Sequence, residues 1–211
     1  MELISLNVGF PRTVHWNGRM VSTGIFKEPV EGQIEVDNLN LAGDGQADLT
    51  VHGGKDKAVY AYPVEHYEYW EKELNRDLPW GMFGENLTIT GYLEEEVHVG
   101  DLFRIGTAEL QVTQPRFPCF KLGIKFNDPG MVKRFAQARR NGYYFRVIKE
   151  GVLEKGDAFE RISEDPAGLT IAEFINLFLN DKDNRELLEK GISHPVVPED
   201  WKDWFRKRLD K

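Results

Sequence analysis

Val97-His-Val-Gly-Asp-Leu-Phe-Arg-Ile105, followed by Glu109-Leu-Gln-Val-Thr113, is the stretch whose reading decides the fold. Apolar and polar residues alternate along both parts, apart from the break at Gly100-Asp101. Gly106-Thr107 supplies a turn between them. That is the period of two paired, half-buried strands. The second strand runs into Gln114-Pro115-Arg116-Phe117-Pro118-Cys119, which holds the single cysteine of the chain. Proline fixes φ and lacks an N–H, so this segment is neither mid-helix nor central strand. A strand therefore delivers a stiff loop, and the loop presents one sulfur beside Arg116 and Lys121. A lone cysteine is often a small buried hydrophobe. Nearby cations favour the thiolate, which is both nucleophile and metal ligand, so both readings stay open.

Working outward, the N-terminal part repeats the strand pattern. Leu3, Ile4, Leu6 and Val8 belong to a first strand. Val14–Trp16 and Met20-Val21 flank Asn17-Gly18, a hairpin-turn dipeptide. Gly32–Val36 alternates, and Leu49–Val51 reads as a further strand. His52-Gly53-Gly54-Lys55-Asp56-Lys57 follows. Its glycines can turn backbone N–H groups towards an anion, with His52 and Lys57 adding charge. A plain Gly-Gly turn is the bland alternative, and the spacing of a Walker loop is missing.

Pro63 to Leu74 reads as a helix with Val64, Tyr67, Trp70 and Leu74 on one face; His66 is expected to be partly exposed on it. Phe83-Gly-Glu-Asn86 makes a turn before a strand, where Asn86 either holds the turn or donates to a polar ligand. Glu94-Glu-Glu96 reads as a solvated surface run. Met131–Arg140 is a short helix candidate, Tyr143–Ile148 is β-rich and Ala158–Ile162 is a last strand.

From Pro166 the period changes to 3.6. Thr170 and Glu173 form a capping box, with Leu169 and Phe174 placed as a hydrophobic staple. Asn184–Lys190, closed by Gly191, and Pro198–Leu209 make two more short helices. The fold class expected is therefore mainly β: an antiparallel β-barrel with a few short helices over residues 1–163, plus a C-terminal three-helix extension over 164–211. The loops that carry the candidate residues would converge on one rim of such a barrel.

Lys and Arg number 27 against 35 Asp and Glu, a net charge of −8 with pI near 5.2. That argues against a duplex nucleic-acid footprint, though not against a single base as substrate. One cysteine excludes an internal disulfide framework. The first residues lack the layout of a signal peptide, and no apolar run approaches membrane-spanning length. A cytoplasmic protein is expected, with no membrane contact.

Gly43-Asp44, His52-Gly-Gly, Tyr62-Pro63 with Glu65-His-Tyr67, Phe83-Gly-Glu-Asn-Leu87, Val99-Gly-Asp101 and Gln114-Pro-Arg116 with Pro118-Cys119 together resemble the MOSC-domain family, the C-terminal domain type of molybdenum cofactor sulfurases. The likeness extends to the YiiM-type branch through Leu169–Phe174 and Trp201–Leu209, and so covers nearly the whole chain. The resemblance implies a β-barrel and a molybdopterin-type molybdenum cofactor, with Cys119 as the molybdenum ligand and the catalytic centre. It implies reduction of N-hydroxylated compounds such as 6-hydroxylaminopurine, which detoxifies mutagenic base analogues.

Within that frame His52, Gly53, Gly54, Lys57, Arg116 and Lys121 are candidates for the pterin phosphate. Asn86 and Gln114 are candidates for the pterin amide edges. No Gly-x-Gly-x-x-Gly follows a strand, so electrons would come from a separate reductase; no pyridoxal phosphate site is expected. Two alternatives remain: a sulfur carrier working through a Cys119 persulfide, and a non-catalytic cofactor carrier. A homodimer is open as the assembly.

Overall fold

The computed structural model describes residues 1–47 and 53–210. In chain order its first half comprises β1 (Leu3–Val8), β2 (Arg12–Trp16), β3 (Arg19–Thr23), β4 (Glu28–Val30), β5 (Ile34–Val36), β6 (Val59–Pro63), α1 (Glu65–Leu74) and β7 (Leu87–Ile89). The second half comprises β8 (Leu102–Ile105), β9 (Ala108–Pro115), α2 (Phe120–Phe126), α3 (Met131–Ala138), β10 (Tyr143–Lys149), β11 (Gly151–Leu153), β12 (Phe159–Ser163), α4 (Ile171–Leu179), α5 (Arg185–Ser193) and α6 (Glu199–Leu209). The expected strand at Leu49–Val51 lies outside the described residues.

The deciding stretch folds as its alternation requires. β8 and β9 pair antiparallel from Leu102–Gln111 to Ile105–Ala108, across the Gly106-Thr107 turn. The first part of the stretch differs. Val97 to Asp101 is not strand but a turn, built on the fully buried Asp101 carboxylate, which accepts from the N–H groups of His98 and Asp165 and from Arg161. Asn17 and Gly18 take positive φ of 48° and 77° and close the β2–β3 hairpin as their types dictate.

Eight strands form one sheet in the order β12-β8-β9-β10-β6-β7-β1-β4. It is not the closed antiparallel barrel expected. The sheet curls until the start of β1 meets the start of β12, where the Glu2–Ala158 bridge and the backbone bonds of Leu3 with Asp157 and Gly156, and of Phe159 with Met1, join them without a continuous ladder. The reason lies in β1: one side pairs with β7, while Leu6 to Val8 on the other side pair with β4. That edge is occupied before a ladder to β12 can extend. The sheet is also mixed, because β6 and β7 run parallel. Parallel neighbours need a long crossover, and α1 supplies it.

β6 is buried along its whole length and divides the core. Val59 and Ala61 face a large cluster with Leu3, Leu6, Phe103, Phe145 and Phe159. Tyr60 and Tyr62 face the other side, where α1, α2 and α3 contribute Tyr67, Trp70, Leu122, Phe126 and Phe135. The three C-terminal helices do not form a core of their own: Phe174, Leu188 and Phe205 belong to the same cluster as the sheet interior. Thr170 and Glu173 make the capping box in both directions at the start of α4. Gly191 does not end α5 but sits within it, where a Cβ would approach Phe205 to 2.6 Å. Close helix packing, rather than chain reversal, is what this glycine serves.

Candidate functional site

β9 ends at Pro115 on the central sheet, and Arg116 to Cys119 cross from there to α2. The helix directly after Cys119 is not apparent in the sequence, because Gly123 interrupts its short apolar pattern. Gly123 is buried there, and a Cβ would approach the Asp128 carbonyl to 3.1 Å. Cys119 occupies the N-cap position of α2, with the Leu122 N–H donating to its carbonyl at 3.0 Å. The cysteine is half-buried and outside any disulfide.

Beside it opens a cleft with about 650 Å³ of open space. Of the candidate residues, Lys57, Asn86, Arg116, Cys119 and Lys121 line it. Gly53, Gly54 and Gln114 do not, and His52 lies outside the described residues. Gly54 has φ 92° and begins the 3-10 turn Lys55–Lys57, which carries Lys57. Lys27, Tyr60, Phe83, Phe117 and Tyr144 also line the cleft. Among the described residues the lining holds four cationic side chains (Lys27, Lys57, Arg116, Lys121) and no carboxylate. In a chain of net charge −8 that is a local reversal of sign, and it suits an anion.

Arg116 is the most constrained of these cations. It is 5% exposed. Its guanidinium lies 4.9 Å from the Phe135 ring centre and 5.6 Å from that of Tyr60. One terminal nitrogen, Nη2, reaches the Phe83 carbonyl at a long 3.4 Å; the other, Nη1, is buried with no hydrogen-bond partner among the described residues. Burial works against its charge, yet Tyr60, Tyr144 and Cys119 around it more than offset this and hold its pKa above the ordinary guanidinium value. A permanent cation with an orphaned donor at a cleft wall is a ready partner for an oxyanion. Arg116 is fixed from behind by its backbone: its N–H donates to the Gly142 carbonyl at 3.2 Å, and its carbonyl accepts from Asn141 Nδ2 at 2.7 Å.

Asn86 is committed inside the protein. Its Oδ1 accepts from the Tyr60 N–H at 3.1 Å; its Nδ2 donates to Asp44 at 2.8 Å and to the Asn7 carbonyl at 3.3 Å. Glu85 beside it accepts from the N–H groups of Gly81 and Phe83, from Thr88 Oγ1 and from the Tyr67 hydroxyl. Burial pushes the Glu85 carboxyl up, and those donors work against the rise. The Phe-Gly-Glu-Asn turn is thus a rigid wall rather than a set of outward donors. Gln114 is likewise engaged: its Nε2 donates to the Asp56 carbonyl at 3.2 Å and its Oε1 accepts from Trp201 Nε1 at 2.7 Å.

Lys27 was missed in the sequence. Thr23, Ile25 and Lys27 are buried at alternate positions, so a period-2 reading of this segment would have turned Lys27 inward. Lys27 Nζ pairs with the Asp44 carboxylate, which Asn86 also holds. Burial pushes the Lys27 ammonium below its ordinary pKa, and Asp44 pulls the other way without restoring it.

Two expectations behind the cleft are corrected. His66 is not partly exposed but 2% exposed, and Glu94 belongs to no solvated run, also at 2%. His66 Nε2 contacts the Glu94 carboxylate at 2.8 Å, and Arg140 Nη1 lies 3.1 Å from Nδ1. Arginine can only donate, so Nδ1 accepts and the ring proton sits on Nε2, facing Glu94. Glu94 also accepts from the Asn141 and Gly142 N–H groups, both at 2.8 Å. These are the residues that hold the Arg116 backbone.

A family model for the MOSC domain matches residues 48–160. The protein YflK of Bacillus subtilis is 41% identical over 210 residues, covering 100% of this chain and 95% of the relative. A protein of Gibberella moniliformis named Reductase is 36% identical over 145 residues, 66% of this chain but only 26% of that relative. Among solved structures, the crystal structure of YiiM from Geobacillus stearothermophilus superposes with a TM-score of 0.84 at 38% identity, over 99% of this chain and 98% of that one. No helix among the described residues is long and apolar enough to cross a membrane.

Proposed function

This chain belongs to the MOSC domain family, and from that premise we propose that it binds a molybdenum cofactor through Cys119 and reduces N-hydroxylated compounds. The observation that carries the reading is the cleft: one cysteine sulfur beside four cationic side chains, with no carboxylate in its described lining. Among the described residues no group of three or more His, Cys, Asp or Glu could hold a metal ion. A cofactor that brings its own dithiolene sulfurs to the metal asks the protein for one soft ligand, and Cys119 is of that type. The orphaned Arg116 Nη1, with Lys57 and Lys121, fits the phosphate of such a group, while Lys27 is held by Asp44. A relative that this chain matches over 26% of its length bears the name Reductase, which accords with a redox reading.

The cofactor supplies two-electron oxygen-atom chemistry. The chain's own residues bind and orient. Arg116 and the lysines hold the anionic end, and the Phe83–Asn86 wall fixes the distance to the Cys119 loop. Tyr60, Phe83, Phe117 and Tyr144 offer ring surfaces to a planar substrate such as 6-hydroxylaminopurine. In the net reaction an N–OH group takes up two electrons and two protons, the N–O bond breaks, and an N–H and water result. The electrons come from a separate reductase. The test is molybdenum and pterin content after expression in a cofactor-competent host. Wild type is expected to carry molybdenum and Cys119→Ala to lack it. Molybdenum in neither protein would refute the reductase reading and leave sulfur carriage through a Cys119 persulfide.

A further inference from the structure

The C-terminal helices carry an aromatic group that the proposed chemistry does not use. Phe178 of α4 and Trp201, Trp204 and Phe205 of α6 pack on one another, with ring centres 5.3–6.2 Å apart for each Trp201 contact among them. The sequence alone would let the outer face of α6 serve as a docking surface. The structure turns the Trp201 ring inward, onto the loop that ends at Cys119.

We propose that Trp201 is a positioning residue of the cleft, holding the Cys119 loop and the turn that carries Lys57 in fixed relation through Phe117 and Gln114. This rests on the reading of that cleft as the functional site. Trp201 Nε1 donates to Gln114 Oε1 at 2.7 Å, and Gln114 Nε2 donates to the Asp56 carbonyl at 3.2 Å. Thr113 Oγ1 donates to the same carbonyl at 2.7 Å. Asp56 lies within the 3-10 turn and directly precedes Lys57, a lining residue. One side chain of α6 is thereby linked through one amide to the turn that carries Lys57.

The second attachment is apolar. The Phe117 ring lies 4.5 Å from Phe178 and 5.3 Å from Trp201, and Phe117 itself lines the cleft. The loop is two residues from Phe117 to Cys119, with Pro118 between them, so the position of the Phe117 ring constrains the sulfur. Trp204 gives the contrast. It stands three positions along α6 and packs on the same Phe178 at 5.4 Å and on Phe205 at 5.7 Å. Neither Gln114 nor Phe117 is among its ring contacts or hydrogen bonds in the described residues. Two tryptophans of one helix therefore share a packing role, while one alone reaches the site.

The test uses the full chain without added cofactor and compares Trp201→Phe, Phe178→Ala and Trp204→Phe. Hydrogen exchange is followed over residues 116–122, and a nitroxide is attached to Cys119, the only cysteine. Trp201→Phe keeps a ring but loses the bond to Gln114, so exchange in 116–122 is expected to rise about fivefold, the size of one lost buried hydrogen bond. The label is expected to become more mobile, more so in Phe178→Ala. Trp204→Phe is expected to leave both readouts at wild-type values, whatever it does to the melting temperature. Wild-type exchange in Trp201→Phe, or an equal rise in Trp204→Phe, would overturn the proposal. Neither readout needs molybdenum. A loosened loop in a protein that never binds the cofactor would keep this proposal and remove the proposed function; the converse result would do the opposite.

Discussion

Replacing Glu94 tests whether the charge behind the cleft is structural. Three donors converge on this carboxylate in the protein interior: His66 Nε2, the Asn141 N–H and the Gly142 N–H. Glu94→Ala leaves all three without an acceptor. Each buried, unsatisfied donor costs roughly 1–3 kcal/mol, and breaking a buried charged contact about 3–5 kcal/mol in total. For a chain of this length that is a fall in melting temperature of roughly 6–20 °C. Glu94→Gln keeps an acceptor for the two N–H groups but turns an amide towards His66. The ring cannot simply reverse its tautomer, because Nδ1 faces Arg140. A loss of about 1–3 kcal/mol is expected.

Urea unfolding at pH 7 measures both variants, with Glu95→Gln as the solvent-exposed neighbour expected within about 0.5 kcal/mol of wild type. The pH dependence gives a second check. Burial opposes the Glu94 charge, but the hydrogen bond from His66 Nε2, with the Gly142 N–H, holds its pKa below the ordinary carboxylate value. Such a group contributes stability in full above its unfolded pKa and loses it as pH falls through the lower folded value. The gap between wild type and Glu94→Gln is therefore expected to be constant near neutrality and to close in acid. A Glu94→Gln protein as stable as wild type, or a gap that widens in acid, would refute the reasoning.

Two further outcomes are expected. Arg116→Met removes a buried cation whose Nη1 lacks a partner, so stability is expected to change by less than about 1 kcal/mol or to rise, while phosphate-bearing ligands lose at least about tenfold in affinity; urea unfolding and calorimetric titration measure the pair. Gly142→Ala is expected to cost more than about 3 kcal/mol in urea unfolding, since φ is 63° and the new Cβ would lie 2.3 Å from the Ala61 carbonyl.

Local signals carried much of this fold. Asn17-Gly18 specified a hairpin, and Thr170 with Glu173 specified a helix start, because each acts on its own backbone within four residues. The antiparallel closure expected for the sheet does not form, and nothing local to the sequence warns of this. β6 and β7 pair parallel, and β4 takes the edge of β1, through contacts between segments far apart in sequence. The site divides similarly. Cys119 and Arg116 stood out by their proline frame and charge. Lys27 did not, since its role depends on Asp44 and Asn86 meeting it from two other segments. Glu94 was hidden by its neighbours: a run of three glutamates looks solvated, and the burial of one of them is decided by α1 and the 140–142 turn. Asn86 and Gln114 read as ligand donors because sequence does not show that their amides are already engaged.

The order of strands in the main sheet has a consequence for how activity can be gained or lost. β1 lies beside β7, β12 beside β8, and β6 beside β10, so neighbours in space are mostly strangers in sequence. Closing such distant loops costs chain entropy before any contact rewards it, and folding is correspondingly slow. Lys27, Lys57, Asn86 and Arg116 each arrive on a different one of these segments. No single one of these segments carries the whole cleft. Ligand binding is therefore expected to appear last during refolding, after the bulk of the sheet signal, and any ligand that spans these segments would act as a fastener for the whole sheet rather than for one loop.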